Sequence, residues 1–380
     1  MIPSDLLSHG ELDDCLRPFG ESRMLPVAAY TSPDVFAWER INFFAGTWTC
    51  IGRRPAAGQQ AYAVGDISVL VTQADGRVRA FGNTCSHRGH ELLQVEEVAN
   101  RQVLVCPYHG WAYRLDGSVH TAPGMDEDFD ASPWGLHELP IVDWHGWLFV
   151  NASGTADPFS DHIGALDAKV APYDPANLHV NAVRRYEVAA NWKLVAENYH
   201  ECYHCTSIHP ELCAVTIPTS GDNWDGPGAW VGGTMVLQDH AETMSVSGRS
   251  GPGAVRLPGV DPRIVTYPGV FPNLLLALHP DYVLTYRLVP LAADRTMIEC
   301  QWLFVDPDTD PAYAVEFWDI TNKQDWGAIE SVQRGLASRH HQPGPLAPNE
   351  SAIYDWVTML ARGYRDVSTV ARGTAYAGRR

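Results

Sequence analysis

The sequence predicts an α+β protein in which a small domain of antiparallel strands precedes a larger domain of mixed helices and strands. Short β-rich runs that end at Gly, Asp or Pro lie between residues 48 and 81 and return at 147–150. Beyond 151–154 the chain mixes helix-like and strand-like segments, and its 380 residues have room for two or three domains. We predict three segments. Residues 1–40 form a helical lead-in that packs on the larger domain, residues 41–155 form the small β domain, and residues 156–380 form the larger domain.

The larger domain contains four segments with clear patterns. Residues 192–209 have a helical pattern, and two strand-like runs, 282–287 and 297–304, flank a short turn. A long helix with polar residues at its exposed positions is predicted over 312–340. The stretch 219–262 is rich in Gly and Pro and has no strong periodicity, which is typical of a functional loop.

The charge balance and the hydropathy pattern exclude two classes of partner. The formal net charge is -18 and no basic stripe is present, so we expect no nucleic-acid partner. No apolar run approaches the ~20 residues that a membrane helix needs. Residues 1–5 lack the basic and apolar regions of a signal peptide, and we therefore expect a cytoplasmic protein with no membrane partner.

Two cysteine–histidine couplets are the most informative motif of the chain. Cys85 lies two residues before His87, and Cys106 lies three residues before His109, with residues 88–105 between the couplets. Zinc can use the same ligand types, but zinc-finger spacing usually pairs Cys with Cys and His with His. The interleaved order favours a two-iron cluster in which one iron takes both thiolates and the other takes both imidazoles. This pattern resembles a Rieske 2Fe-2S domain.

A second constellation of chemical groups lies in the helix-like segment 192–209. Glu201 and His204 are three residues apart and would share a helix face, whereas His209 is off register. We therefore predict that the helix bends or unwinds around 205–207, before Pro210. Two converging histidines are two-thirds of a 2-His-1-carboxylate triad, the ligand set of non-haem Fe(II) oxygenases.

The chain contains more cysteines than the couplets use. Cys202 and Cys205 could supply half of a zinc site, with Cys213 as an irregular further ligand. Because the chain lacks an export signal, disulfides are not expected. We predict free thiols at the cysteines outside the couplets, which are Cys15, Cys50, Cys202, Cys205, Cys213 and Cys300.

Taken together, the two constellations resemble the α subunits of the Rieske non-haem iron oxygenases, and the resemblance covers nearly the whole chain. It implies a helix-grip catalytic domain with an antiparallel sheet and flanking helices after the Rieske domain. The family's iron histidines fall on His204 and His209, and its aspartate ligand falls on Asp325 in the predicted long helix. Asp319 and Glu316 on the same helix are competing acids.

The resemblance also implies a role for Glu201 and a set of cofactors and partners. The family assembles as a ring, usually a homotrimer, in which a carboxylate bridges a cluster imidazole, here His109, to an iron imidazole, here His204, of the next subunit. The implied cofactors are the Rieske cluster and a mononuclear Fe(II), with NAD(P)H acting through a flavin-dependent reductase or ferredoxin. The implied reaction is hydroxylation or oxidative N-demethylation of a small substrate with O2.

The substrate class is suggested by the form of the motif. Glu at position 201 and the run from Cys202 to Cys205 look most like the branch that acts on choline, glycine betaine, carnitine or stachydrine. Aromatic rings could hold a methylammonium group by cation–π attraction. The alternatives are an oxygenase of aromatic rings or aromatic acids and, more remotely, a Rieske electron carrier without mononuclear iron. The pocket candidates are Trp230, Tyr267, Phe271, Tyr282, Trp302 and Phe317, and the further aromatic residues noted are Trp224 and Trp318.

Overall fold

The computed structural model describes residues 1–55 and 58–373, and the chain divides into two compact units. One unit is Glu39–Ala156, and the other joins Met1–Trp38 to the residues from Asp157 onward. Helices and antiparallel strands occur together, as the α+β prediction requires. Among the described residues, no helix has both the length and the apolar character to cross a membrane.

The unit Glu39–Ala156 is made mainly of short strands. Their bounds are β1 Thr49–Arg53, β2 Gly58–Val64, β3 Ile67–Ala74, β4 Arg77–Gly82, β5 Val98–Ala99, β6 Val103–Val105, β7 Ala112–Arg114, β8 Val119–Thr121, β9 Glu138–Leu139, β10 Ile141–Trp144 and β11 Trp147–Val150. They form three sheets with the orders β1-β11-β10, β5-β2-β3-β4-β9 and β6-β7-β8. A turn of π-helix, Arg40–Ala45, precedes β1.

Strand β3 separates two hydrophobic clusters within this unit. Successive side chains of a strand point to opposite faces of the sheet. Val69 and Val71 therefore join one buried cluster, while Leu70 joins a second cluster that contains Cys85 and Cys106. The alternation along this strand thus places the two cysteines in an apolar cluster on one face of the sheet.

The second unit contains the helices and the largest sheet. Its helices are α1 His9–Cys15, α2 Val27–Thr31, α3 Pro33–Glu39, which ends one residue past the boundary, α4 Phe159–Ile163, α5 Asp167–Val170, α6 Trp192–Tyr199, α7 Cys205–Ile208, α8 Pro210–Val215, α9 Ala312–Leu336 and α10 Ser351–Arg365. Its strands are β12 His179–Val188, β13 Thr216–Ile217, β14 Trp230–Val231, β15 Thr234–Leu237, β16 Ile264–Thr266, β17 Gly269–Val270, β18 Leu274–Leu278, β19 Val283–Ala292 and β20 Arg295–Phe304. The sheet has the order β12-β20-β19-β18-β16-β15-β13, and β17 pairs with both β14 and β18.

The start of α6 is held by hydrogen bonds to the β19–β20 turn and to α9. Asn191 accepts a hydrogen bond from the N–H of Lys193 at 3.0 Å, which satisfies a free donor at the helix start. The Asn191 amide donates to the carbonyl of Ala293 in the β19–β20 turn at 2.6 Å. Gln333 of α9 accepts the N–H of Asn191 at 2.8 Å. These bonds position the residues that follow α6 relative to α9.

Most predicted elements of this unit are present, with different bounds. The paired strands predicted at 282–287 and 297–304 are β19 and β20, and the long helix ends at Leu336 rather than at residue 340. The Gly- and Pro-rich stretch contains two short strands, β14 and β15, among its loops. The continuous helix predicted over 192–209 is interrupted after Tyr199.

Candidate metal centres

The interruption after α6 lies earlier than predicted. Residues 200–204 leave the helix, whereas Cys205–Ile208 forms the helical turn α7, so the prediction of unwinding at 205–207 was wrong. The cause is Glu201, whose carboxylate accepts the backbone N–H groups of Tyr203 and His204. A side-chain acceptor so close in sequence competes with helical hydrogen bonds and favours a turn.

The same turn corrects a second expectation. Cys202 and Cys205 are joined by a disulfide, with 4.9 Å between their Cα atoms, and are not the free thiols that the sequence predicts. The expectation was based on cellular compartment alone and took no account of the local spacing. Because both sulfurs are used, the pair does not form half of a zinc site in this state. The thiol of Cys213 remains free and donates to the carbonyl of Cys205 at 3.4 Å.

The three predicted iron ligands converge at the end of this segment. The Nε2 atoms of His204 and His209 are 3.2 Å apart. Oδ1 of Asp325 lies 2.9 Å from Nε2 of His209 and 3.3 Å from Nε2 of His204. The competing acid Asp319 instead bonds Tyr186 and pairs with Lys323 on the same helix, and Glu316 is exposed.

This triangle of donor atoms has the size that an octahedral metal site requires. Metal bonds of about 2.1 Å to imidazole and carboxylate, at about 90° to one another, place the donor atoms roughly 3.0 Å apart. The observed separations of 2.9, 3.2 and 3.3 Å match that value. Two nitrogens and one oxygen on a single face therefore fit a mononuclear iron and leave its opposite face open.

Hydrogen bonds to the outer ring nitrogens orient both imidazoles. Nδ1 of His204 donates to Oε1 of Glu201, and Nδ1 of His209 donates to Oε1 of Gln324 at 2.7 Å. A carboxylate and an amide oxygen can only accept, so in both rings Nδ1 carries a proton, and Nε2, which faces Asp325, is the ring nitrogen that can bind a metal. The amide nitrogen of Gln324 donates to Glu211 at 3.0 Å, which fixes the orientation of the amide.

Charge pairing shifts the pKa values of two of these groups. Burial lowers the pKa of His204, but its hydrogen bonds to Asp325 and Glu201 outweigh burial and raise the pKa to about 9. Burial raises the pKa of Asp325, yet its hydrogen bonds to His204 and His209 hold that pKa below its ordinary value. Since only neutral imidazole binds a metal, metal binding at this site displaces a proton from His204.

A cavity of about 280 Å³ opens beside the triad, and His204, His209 and Asp325 belong to its lining. The lining also contains Glu201 and several residues of the Gly- and Pro-rich stretch. Among the residues that the structure describes, no Lys or Arg lines this cavity. Apart from its imidazoles, the charged side chains of the described lining are therefore the carboxylates of Glu201 and Asp325.

Aromatic rings form part of the wall. Tyr199, Tyr267 and Trp318 all line the cavity, and the rings of Tyr199 and Tyr267 have centroids 6.0 Å apart. The O–H or N–H group of each ring donates a hydrogen bond to a residue that does not line the cavity. The apolar part of each ring is therefore free to contact a ligand. The acceptors are the carbonyl of Leu276 at 2.6 Å for Tyr199, Sδ of Met244 at 2.9 Å for Tyr267 and the hydroxyl of Tyr282 at 2.8 Å for Trp318.

The structure brings one of the six aromatic pocket candidates to the cavity, namely Tyr267. The other five are buried elsewhere in the core, and none is more than 4% exposed; they are Trp230, Phe271, Tyr282, Trp302 and Phe317. Trp224 instead contacts Lys169, whose Nζ lies 4.0 Å from the ring centroid. Sequence reasoning misses Tyr199 and Thr321. Helical spacing identifies Thr321, which lies four residues before Asp325 and on the same face.

The two cysteine–histidine couplets lie on loops with matching backbone bonds. The N–H of each cysteine donates to the carbonyl five residues on, at 2.8 Å for Cys85 and 2.7 Å for Cys106. Gly89 and Gly110 donate back to the carbonyls of these cysteines at 2.9 and 3.0 Å. The φ value is 74° for Gly89 and 76° for Gly110, and both values lie in the left-handed region that favours glycine.

The four predicted cluster ligands converge at the tips of these loops. Cys85 and Cys106 are each 2% exposed and their thiols contact each other, while the rings of His87 and His109 have centroids 4.6 Å apart. Nδ1 of His87 is buried and has no hydrogen-bond partner within the described chain. The hydroxyl of Tyr113 lies 3.1 Å from Sγ of Cys85. Two buried sulfurs beside two imidazoles, one with an orphaned nitrogen, fit a Rieske cluster.

Comparison with known proteins shows the family to which the chain belongs. Residues 52–140 match the family model "Rieske [2Fe-2S] domain", and residues 175–365 match "Ring hydroxylating alpha subunit (catalytic domain)". The glycine betaine monooxygenase oxygenase subunit of Chromohalobacter salexigens is 32% identical, over 94% of this chain and 93% of that protein. The chain belongs to the Rieske-type ring-hydroxylating oxygenase α subunits.

Other members of the family show how widely the likeness extends. The carnitine monooxygenase oxygenase subunit of Acinetobacter baumannii is 27% identical, over 83% of this chain and 86% of that protein. A crystal structure of a quaternary ammonium Rieske monooxygenase in complex with L-carnitine has a TM-score of 0.74 at 25% identity, covering 93% of this chain and 98% of that one. Naphthalene 1,2-dioxygenase from Rhodococcus sp. has a TM-score of 0.75 at 19% identity, over 97% and 99% of the two chains, which shows the shared fold.

Membership settles the type of enzyme and its cofactors. This oxygenase α subunit is an iron-dependent oxidoreductase with a Rieske 2Fe-2S cluster and a catalytic domain for mononuclear iron. The helix-grip arrangement that the sequence resemblance implies is confirmed by the same structural matches. The family includes monooxygenases and dioxygenases. The catalytic-domain match contradicts the remote alternative of a Rieske electron carrier without mononuclear iron.

Proposed function

We propose that this oxygenase hydroxylates or oxidatively N-demethylates a small quaternary ammonium compound of the betaine, choline or carnitine type. The observation that carries the proposal is the cavity beside the triad, which has aromatic walls, two carboxylates and, within the described residues, no Lys or Arg. The relatives named glycine betaine and carnitine monooxygenase support the same class.

The charge of the lining discriminates between the two candidate substrate classes. An aromatic acid has a net negative charge and would meet Glu201 and Asp325, and the described lining contains no Lys or Arg to bind its carboxylate. A betaine has no net charge, and its carboxylate can bind neutral donors such as Thr219 and Asn349, which also line the cavity. Its methylammonium group can contact ring faces, each worth about 0.5–2 kcal/mol. The electrostatics therefore favour a zwitterion or a cation over an aromatic carboxylate.

The metal ligands that we propose are His204, His209 and Asp325, which would hold the mononuclear iron. When bound, the iron supplies O2 activation with electrons from the cluster. Oxygenation of an N-methyl group consumes one O2, two electrons and two protons and releases one water. The N-hydroxymethyl product then breaks its C–N bond to give formaldehyde, a proton and the demethylated amine. The chain contributes the orientation of the substrate, through its aromatic wall, and of both imidazoles.

The cluster ligands that we propose are Cys85, His87, Cys106 and His109, with Glu201 as the carboxylate that links His109 to His204 of the next subunit. Two facts support this route: His109 is solvent-exposed within its own unit, and Glu201 already bonds His204. Such a link needs a ring of subunits, and we propose a homotrimer. A flavin-dependent reductase or ferredoxin would deliver electrons from NAD(P)H. We further propose a cytoplasmic enzyme in which residues 41–155 carry the cluster and 156–380 the catalytic iron, with the lead-in 1–40 packed on the catalytic domain.

A substrate panel tests the proposed class. The purified oxygenase, supplied with a reductase and NADH, is incubated with glycine betaine, carnitine, choline and aromatic carboxylates. We expect stimulated O2 consumption and formaldehyde release with at least one quaternary ammonium compound. Label from ¹⁸O2 should appear in the formaldehyde or in a hydroxylated product. Stimulation by aromatic carboxylates together with none by any quaternary ammonium compound would overturn the proposal.

Metal analysis tests the ligand assignment independently of substrate. A Rieske cluster and a mononuclear iron together predict three irons and two acid-labile sulfides per chain. Two irons per chain in active preparations would contradict the mononuclear site. Mass photometry of the same sample measures the oligomeric state, for which we expect a trimer.

A further inference from the structure

The Cys202–Cys205 disulfide has no role in the function proposed above. It lies in the turn that carries the link between Glu201 and His204, and it encloses Tyr203 and His204. One metal ligand therefore lies inside the loop that the disulfide closes, and the carboxylate that orients this ligand lies directly before it. This position ties the oxidation state of the two sulfurs to the proposed metal site.

The sulfur of Cys205 lies close to the metal ligands. A ligand atom from each of His204, Cys205 and His209 lies within 4.8 Å of the other two. In the disulfide this sulfur is bonded to carbon and to a second sulfur and carries no charge. When the disulfide is reduced, it becomes a thiol, and a cysteine thiolate is a strong soft ligand for iron or cobalt. The disulfide thus keeps the donor set at two nitrogens and one oxygen.

Small molecules can reach the pair. Cys202 is half-buried, and both cysteines line the same cavity as His204. Disulfides of intracellular proteins are usually transient and redox-sensing because cellular thiols reduce them. Exchange with a dithiol transfers two electrons and two protons to the protein, breaks the S–S bond, yields two cysteine thiols and leaves the dithiol as a disulfide. Hydrogen peroxide reverses the change: it takes up the two electrons and two protons of the thiols, so that the S–S bond and two molecules of water form.

We propose that Cys202 and Cys205 form a reversible redox modification site that controls access to the mononuclear metal. In the oxidised state the metal keeps an open face. In the state reduced by a dithiol, the Cys205 thiol releases its proton to solvent, and its Sγ binds the metal and occupies a position that O2 or substrate otherwise uses. This inference rests on the metal site of the proposed function and adds a regulatory input to it.

The first experiment counts thiols in the full-length enzyme. The protein is alkylated before and after treatment with a phosphine reductant, and the peptide that contains residues 202–205 is weighed. We expect a gain of two labels on reduction and their loss after a stoichiometric peroxide treatment. Cys213→Ser serves as the matched control, because it removes the neighbouring thiol and should leave this gain unchanged. Thiols that are already free in aerobically purified enzyme, or a pair that peroxide does not reoxidise, would overturn the proposal.

The second experiment asks whether sulfur reaches the metal. Co²⁺ is exchanged into the mononuclear site of the cluster-containing protein, and cobalt X-ray absorption reports the neighbours of cobalt without interference from cluster iron. We expect a sulfur neighbour at about 2.3 Å in the reduced protein and in Cys202→Ser, which frees Cys205. We expect none in the oxidised protein or in Cys205→Ser.

The two variants separate this inference from a general loosening of the turn, since both lose the disulfide but only one keeps the Cys205 thiol. Cobalt without a sulfur neighbour in both the reduced protein and Cys202→Ser would overturn the inference alone. A chain that binds no cobalt and no mononuclear iron in either redox state would overturn the proposed function and this inference with it.

Discussion

Replacing Glu201 by Gln tests the hydrogen bonds around the metal site, because the amide keeps the shape of the carboxylate but only one of its acceptors. Glu201 accepts three hydrogen bonds, from Nδ1 of His204 and from the N–H groups of Tyr203 and His204. If the Gln oxygen serves the backbone donors, its NH2 group faces Nδ1–H of His204. If the oxygen serves His204, two backbone donors lose their acceptor.

Both orientations are costly. A buried donor left without an acceptor costs about 1–3 kcal/mol, which corresponds to roughly 5- to 160-fold in an equilibrium constant. In the first orientation His204 can escape only by moving its proton to Nε2, and that removes the lone pair that binds iron. We expect iron affinity to fall by about 10- to 100-fold, as is typical when the hydrogen-bond partner of a metal-bound histidine is removed. Electron delivery should fall further because the charged link is lost.

The assay is a single turnover with iron-reconstituted protein. The cluster is reduced chemically, substrate and O2 are added, and reoxidation of the cluster is followed by its visible absorption. We expect slow reoxidation in Glu201→Gln and substantial recovery in Glu201→Asp, which keeps the charge. Glu330→Gln is the matched control, since Glu330 accepts the N–H of Ala189 at 3.0 Å and has no part in either metal site. Wild-type reoxidation and iron content in Glu201→Gln would refute the reasoning.

Three further predictions concern other parts of the catalytic unit. Asp325→Ala should lose mononuclear iron but keep the visible absorption of the cluster, whereas Asp319→Ala should keep both. Metal analysis measures the iron and visible spectra measure the cluster. Retention of mononuclear iron in Asp325→Ala would reject the assignment of Asp325 as a ligand. Trp318→Ala should raise KM for a quaternary ammonium substrate by roughly 5- to 30-fold, through the loss of about 1–2 kcal/mol of cation–π attraction; an unchanged KM would remove this ring from the binding site. Burial raises the pKa of Glu197 from 4.5 to about 8, so its contribution to stability is complete below pH 4.5 and is lost as the pH rises to about 8. Tm should therefore fall less with rising pH in Glu197→Gln than in the wild type over this range, and parallel Tm profiles would show that the carboxyl titrates normally.

The grouping of the candidate ligands could be predicted from the sequence because it depends on local spacing and on ligand chemistry. Cys85 and His87, like Cys106 and His109, lie close together in sequence, and no knowledge of distant contacts is needed to group them. Asp325 is different, because it lies far along the chain and was assigned by resemblance. The structure places its carboxylate 2.9 Å from Nε2 of His209, and this distance supports our proposal that Asp325 is the third metal ligand.

The pocket was harder to predict because neighbouring residues on one helix face different environments. Phe317 and Trp318 are adjacent in sequence, yet only Trp318 lines the cavity. Successive residues of a helix differ by about 100° in direction, so a list of aromatic residues does not contain this information. Thr321 lies four residues before Asp325, and Trp318 lies three residues before Thr321, so both share a helix face with Asp325. The sequence alone could therefore have predicted that these two residues lie near the metal site. The disulfide was missed because cellular compartment was weighed above the short spacing of Cys202 and Cys205.

The link from His209 through Gln324 to Glu211 has a consequence for the electronic character of the metal site. Gln324 accepts a hydrogen bond from His209 at 2.7 Å and donates one to Glu211 at 3.0 Å. The negative end of its amide dipole therefore faces His209, and the positive end faces Glu211. Glu211 is partly exposed, and its negative charge polarises the amide and makes the buried imidazole a stronger electron donor. Counterions in the solvent screen such a charge. We therefore expect that the reduction potential of an iron held by His209 would depend on ionic strength, even though the imidazole itself is buried.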